Sequence, residues 1–170
     1  MAKPKKNKSK NKPNNNGYFY QNSQKFGPDF LRQKRVDDLR KDAPRIFKDI
    51  AFSGGFVGSI THYFLTYNFV KNMQTVSANM QREAAATAIG LQTYIQQSQT
   101  QGLPVDKHLQ TTYDTKRQLA DAYKIIYDGF STLLQVIDSS SPRSGFCKFV
   151  DAGSVLKEIS YKLKPYKYIL

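Results

Sequence analysis

The sequence predicts an all-α protein built on a long antiparallel helical hairpin, with an extended basic N-terminal arm and a short C-terminal helix plus tail. Three observations lead to this fold class. Small and apolar side chains repeat every seven residues over 59–101, a wider apolar pattern runs over 105–138, and only a short segment containing Gly and Pro separates them. Two long amphipathic helices joined by so short a connection pack antiparallel to each other.

Residues 1–27 are predicted to form an extended arm. The opening MAKPKKNKSKNKPNNNG contains six Lys, five Asn and two Pro, and no apolar side chain after Ala2. Such a segment cannot bury enough surface to offset an ordering entropy of about 1–2 kcal/mol per residue. We therefore expect it to order on a partner. Its candidate contacts with nucleic acid or another polyanion are Lys3, Lys5, Lys6, Lys8, Lys10 and Lys12.

Aromatic residues follow these lysines and recur at the C-terminal end. Aromatic side chains make good anchors in protein interfaces, so we expect them to dock on neighbouring subunits, with stacking on bases as the alternative. The predicted docking residues are Tyr18, Phe19, Tyr20 and Phe26 in the arm, and Tyr166 and Tyr168 in the tail.

Residues 28–52 are predicted to form short charged helices. Pro28 and Asp29 suit a helix start, because Pro is tolerated in the first turn and an acidic side chain there favours the helix dipole. Pro44 is expected to end or kink this helix after about Asp42. A short stretch of apolar periodicity follows it.

Residues 53–138 are predicted to be the hairpin body. The seam of the first helix consists of two heptad positions filled largely by small and soft side chains. These positions are Tyr63, Val70, Ser77, Ala84 and Leu91, and Thr66, Met73, Met80, Thr87 and Tyr94. Gly102 and Pro104 then indicate a stop and a restart.

The second helix of the body carries the wider apolar face. Three of its heptad positions span about 100° of the helix surface, as expected for a face that packs on a core. The residues predicted to be buried are Leu119, Ile126, Phe130 and Leu133. Asp114, Asp121 and Asp128 repeat on the far side, about 10 Å apart along the axis, which is too far to share one cation. We expect that side to face solvent.

Residues 139–170 are predicted to form a loop, a short helix over 154–163 and a basic aromatic tail. Catalytic signatures are absent from the chain: it has no P-loop, no His-Glu-x-x-His, no Gly-x-Ser-x-Gly and no Cys-x-x-Cys. The two histidines, His62 and His108, lie 46 residues apart with no nearby cluster of Cys, Asp and Glu, and Cys147 is the only cysteine. We therefore predict no catalytic residues, no metal site, no cofactor and no enzymatic activity.

Charge is concentrated at the two ends of the chain. Residues 1–50 carry 14 Lys and Arg against 5 Asp and Glu, residues 51–140 carry 6 against 6, and residues 141–170 carry 6 against 2. A neutral centre with cationic ends is typical of a packed body anchored by its termini to a polyanion. The expected partners are other protein subunits and a DNA or RNA backbone, bound without sequence specificity.

The Lys- and Asn-rich start, the 11 Tyr and the helical middle resemble small structural proteins of tailed-phage virions. The resemblance implies an oligomeric structural subunit of the head or the portal–tail region, located in the virion. A ribosome-associated or other ribonucleoprotein RNA-binding protein in the cytoplasm is the alternative. Arms of that class mix Arg with Lys, whereas no Arg precedes Arg32 here, which favours the virion.

A membrane-anchored coiled-coil protein is the second alternative. Residues 50–70 contain no charged side chain, and a segment of about 20 residues is long enough to span a bilayer. Its Gly, Ser and Thr residues, together with His62 and Asn68, make insertion unfavourable. A buried aromatic segment, and not a membrane partner, is therefore expected.

Overall fold

The computed structural model describes residues 28–52, 66–138 and 145–170. These ranges contain no strand and four α-helices, followed by a 3₁₀ turn, so the all-α prediction is confirmed. The elements are α1 (Pro28–Phe52), α2 (Tyr67–Thr100), α3 (Lys107–Asp138), α4 (Gly145–Leu163) and the turn Lys164–Tyr166. The predicted arm, the Gly-rich break after α1 and most of the uncharged segment 50–70 lie outside the described residues. The packing below concerns residues 35–170, which form one compact unit.

Helix α1 runs through Pro44 without interruption, which differs from the predicted pair of short helices. A proline inside a helix removes one backbone hydrogen bond and costs about 3 kcal/mol. The neighbouring Ala43 and Phe47 are fully buried, and Ile50 is buried one turn later. Burial of this apolar stripe on the rest of the protein offsets the local cost, because burying one large apolar side chain contributes about 1.5–3 kcal/mol.

Of the predicted seam, helix α2 buries Val70, Met73, Ser77 and Ala84, while Thr66 before the helix is exposed and Tyr63 lies outside the described residues. Thr87 and Tyr94 of that seam are exposed. The residues that are buried instead follow an 11-residue spacing, from Ser77 to Ala88 and from Ala84 to Ile95. A straight α-helix drifts by about 20° per heptad relative to a strict seven-residue repeat, so the buried stripe moves off the heptad positions as the helix lengthens.

The predicted stop and restart after α2 are confirmed. Gly102 has a φ of 69°, the left-handed conformation that ends many helices. Its N–H donates to the Gln99 carbonyl at 3.0 Å, and the Leu103 N–H donates to the Ser98 carbonyl at 2.9 Å. Helix α3 then begins with a cap, because the Asp106 carboxylate accepts the His108 backbone N–H at 2.9 Å.

Helix α3 is the centre of the core and contacts both α2 and α4. It also meets α1 through Phe47, whose ring centroid lies 5.9 Å from that of Tyr123 and 6.3 Å from that of Phe130. Of the four core residues predicted for this helix, Ile126, Phe130 and Leu133 are fully buried, and Leu119 is half-buried. The prediction is confirmed for the first three, and Asp121 is exposed as expected.

Helix α4 starts at Gly145, well before the predicted start at 154. It lies against α3 at Gly129, where a Cβ would stand 2.3 Å from Ile159 Cγ1 and 2.4 Å from its Cδ1. Its core stripe repeats with helical spacing and consists of Ala152, Leu156, Ile159 and Leu163. In the described ranges, none of the helices combines the length and apolar character needed to cross a membrane.

Candidate polyanion-binding surface

The residues predicted to contact partners fall into two groups. The ten in the arm, from Lys3 to Phe26, lie outside the described residues. Tyr166 and Tyr168 are described and differ in environment. Tyr166 is half-buried and packs against the core, whereas Tyr168 is 79% exposed. Of this pair, Tyr168 is therefore the one available to a partner.

Tyr168 stands beside an open groove of about 250 Å³ between the end of α1, helix α4 and the tail. We call it the C-terminal groove. Its walls include two aromatic rings and three ammonium groups, and none of the described residues that line it is acidic. The lining residues used below are Phe52, Lys157, Ser160, Tyr161, Lys164 and Lys167.

The helix places three of these side chains on one face. Lys157, Tyr161 and Lys164 are spaced by four and three residues, which brings them one above another on a helical surface. Tyr161 is 77% exposed, and both lysines are exposed. The opposite stripe of α4, around Leu156 and Ile159, faces the core, so packing of that stripe fixes the direction of the lysine face.

Lys167 is held between aromatic rings. Its Nζ lies 5.4 Å from the centroid of the Phe52 ring and 4.8 Å from that of Tyr168. The two rings themselves meet edge to face, with centroids 5.9 Å apart. Attraction between an ammonium and a ring face contributes about 0.5–1 kcal/mol at an exposed site. The two rings thereby position the ammonium group. Its N–H donors can still form hydrogen bonds with a bound anion.

The tail that carries Lys167 and Tyr168 is fixed to the body. Leu163 is fully buried, and Tyr166 and Leu170 pack against the core. The Tyr166 carbonyl accepts the backbone N–H groups of Ile169 and Leu170 at 3.0 and 3.3 Å. Lys167 and Tyr168, which lie between these anchors, therefore extend from a folded turn.

The three lysines of the groove, Lys157, Lys164 and Lys167, differ in charge pairing from Lys162 and Lys124. Among the described residues, none of them forms an ion pair, whereas Lys162 pairs with Glu158 and Lys124 with Asp128, each at 2.6 Å. Asp128, Glu158 and Lys162 line a second, smaller cavity of about 120 Å³. That cavity mixes both signs of charge, whereas the described charged residues that line the C-terminal groove are all lysines.

Sequence reasoning identified Tyr168 but missed Phe52, Lys157, Tyr161, Lys164 and Lys167. The spacing of 157, 161 and 164 was the available signal, since a helix was predicted there. The approach of Phe52 to the tail joins residues more than a hundred positions apart, and no local pattern encodes it. Within the described ranges, no group of three or more His, Cys, Asp or Glu side chains is placed to hold a metal ion.

Comparison with protein-family models, curated proteins and solved structures gave no match to this chain.

Proposed function

We propose that this protein is a non-enzymatic structural subunit of a virion, of the tailed-phage type, that binds nucleic acid and neighbouring subunits through its cationic ends. The observation that carries the proposal is the separation of charge. The ends hold the whole excess of Lys and Arg, and the middle of the chain is neutral. The C-terminal groove adds a folded example, since three lysines and no acidic residue are among the described residues that line it.

The body of this subunit, in the proposal, is the antiparallel hairpin of α2 and α3. One hydrogen bond and one electrostatic interaction between the helices support it. Gln74 Nε2 donates to Ser131 Oγ at 2.8 Å, and further along α2 the Glu83 carboxylate lies close enough to Tyr123 to affect its phenol. Burial and then the charge of Glu83 raise the pKa of Tyr123. From the first of these pairs to the second, residue numbers rise along α2 and fall along α3, and this order supports the proposed antiparallel pairing.

The basic arm supplies the greater part of the proposed nucleic-acid contact. Its six lysines between Lys3 and Lys12 can neutralise up to about six phosphates, and each neutralised phosphate releases counter-ions. Contacts with the phosphate backbone carry no sequence information. The proposed binding is therefore salt-dependent and insensitive to sequence, as suits a subunit that coats or anchors packaged nucleic acid.

Removal of residues 1–16 tests this proposal. The truncated chain is expected to keep its helical circular dichroism and its unfolding transition, because the deleted segment has almost no apolar side chains to place in a core. Its affinity for duplex DNA of mixed sequence at low salt is expected to fall by at least tenfold. A control chain in which the six lysines become Gln, with the length kept, is expected to show the same loss.

Unchanged affinity of both chains at low salt would contradict the role of the arm. Loss of the helical signal on truncation would contradict the separation between arm and body.

A further inference from the structure

We propose that the C-terminal groove binds single-stranded nucleic acid, with its lysines on the phosphates and with the exposed rings of Tyr161 in its lining and Tyr168 beside it stacked on unpaired bases. This inference rests on the proposed function, because it specifies which form of nucleic acid the folded cationic end takes. The argument uses the size of the groove, its charge and its aromatic rings in turn.

The size of the groove suits one repeating unit of a polymer. Its volume is about 250 Å³, below the range of about 300–1,000 Å³ typical of pockets that enclose a drug-sized ligand. It is also open to solvent along the tail, where Tyr168 is 79% exposed. A polymer can therefore pass through the groove with one repeating unit bound in it and the rest extending on either side.

The charge of the groove selects an anion. Lys157 lies in α4 and Lys164 begins the 3₁₀ turn that follows it, and Lys167 is held by Phe52 and Tyr168. An ammonium that is already positioned loses less side-chain entropy when it binds phosphate, about 0.5–1.5 kcal/mol being the usual loss for a flexible side chain. Lysine is an ordinary phosphate ligand that acts as a point charge.

The aromatic rings distinguish between classes of polyanion. Tyr161 and Tyr168 are 77% and 79% exposed, and they flank the lysines. Bases in a duplex are stacked on each other, so their faces are closed to side chains, while unpaired bases stack on aromatic rings. The carboxylates of an acidic peptide would pair with the lysines but would not stack on the tyrosine rings. The combination of cations with exposed rings therefore favours single-stranded DNA or RNA.

The test measures binding of the full chain to three labelled ligands by fluorescence anisotropy: oligothymidylate and oligouridylate of 16 nucleotides, and a 16-base-pair duplex. The double variant Tyr161→Ala/Tyr168→Ala is expected to weaken binding to at least one of the single strands by about 5-fold or more. The same variant is expected to change duplex binding by less than 2-fold. Tyr94→Ala, another exposed tyrosine of the body, is the matched control and is expected to change neither.

The lysines are tested through the salt dependence. Replacing Lys157, Lys164 and Lys167 by Gln removes up to three phosphate contacts, so the log–log slope for a single strand is expected to become shallower by about 2. Lys162→Gln is the control on the same helix, because Lys162 is paired with Glu158 and lies outside the groove. It is expected to leave the slope within about 0.5 of the original.

The outcomes separate this inference from the proposed function. Salt-dependent duplex binding by the full chain, with single-strand binding unchanged in the tyrosine variant, would overturn the groove and leave the proposed function standing. Equal competition by polyglutamate at the same charge would also overturn it, since stacking would then contribute nothing. No binding to any nucleic acid at low salt would overturn both. If the double tyrosine variant loses more affinity for oligothymidylate or for oligouridylate than for the duplex, the result supports the groove. The strand with the larger loss is the preferred ligand.

Discussion

Replacing Gly129 by Ala is expected to destabilise the protein, although Ala is the better helix former. Gly129 lies inside α3 where α4 approaches, and the Cβ that Ala would add stands 2.3 Å from Ile159 Cγ1 and 2.4 Å from Cδ1. Favourable contacts between carbon atoms lie at about 3.5–4.0 Å. The two helices must therefore separate by more than an ångström, or the Ile159 side chain must leave its position.

The magnitude follows from two opposing terms. Replacing Gly by Ala inside a helix increases the free energy of unfolding by about 0.5–1 kcal/mol. Overpacking a core costs about 1–3 kcal/mol, and the upper part of this range applies because Ile159 is 2% exposed and its branched Cβ restricts χ1. We expect a net loss of about 1–2 kcal/mol in the free energy of unfolding.

Gly90→Ala supplies the matched control. Gly90 lies inside α2, and a Cβ there would meet nothing within 4 Å. Only the helix-forming term remains, so this variant is expected to be more stable by about 0.5–1 kcal/mol. Urea unfolding followed by circular dichroism at 222 nm measures both variants, and equal m-values would place the difference in stability rather than in the unfolded state.

A double-mutant cycle isolates the contact. Ile159→Ala removes Cγ1 and Cδ1 and leaves Cβ, which is 3.6 Å from the added atom, an ordinary contact distance. In that background, Gly129→Ala is expected to stabilise the protein as Gly90→Ala does. If Gly129→Ala behaves like Gly90→Ala in the original chain as well, the close approach of α3 and α4 is refuted.

Three further perturbations test other parts of the fold. Asp106→Ala removes the cap of α3 and is expected to cost about 0.5–2 kcal/mol in urea unfolding; no loss would mean that the cap is not formed. Ile126→Ala, at a fully buried position, is expected to cost about 2–5 kcal/mol, whereas the exposed Asp121→Ala should stay within about 0.5 kcal/mol; equal losses would reverse the face assignment. Burial raises the pKa of Tyr123 above its ordinary 10.0. The folded state therefore holds this proton longer than the unfolded state, and stability should fall as pH rises past about 10. Tyr123→Phe should make that fall shallower than Tyr94→Phe does, and parallel curves would contradict it.

Local signals in the sequence predicted the apolar face of α3 and the end of α2, but not the buried stripe in the second half of α2. The apolar face of α3 was visible because Ile126, Phe130 and Leu133 recur with helical spacing. Gly102 marked the end of α2, because only glycine enters the left-handed conformation without a steric penalty. These features depend on residues within one or two turns of each other.

Features that depend on tertiary packing were not predictable in the same way. Pro44 reads locally as a helix breaker, and only burial of Ala43 and Phe47 keeps α1 continuous. Gly129 looks from the sequence alone like a residue that weakens α3. It is required there because any Cβ would collide with Ile159 of the neighbouring helix. The C-terminal groove likewise depends on Phe52 reaching the tail, which no spacing along the chain reveals.

The salt dependence of duplex DNA binding by the full chain tests the central claim most directly. If the cationic arm anchors the protein to a phosphate backbone, a plot of log K against log salt should be linear with a slope of about −5, from the six arm lysines. DNA sequences of different composition should give the same line. A slope near zero, or binding confined to one sequence, would contradict anchoring through the charged ends.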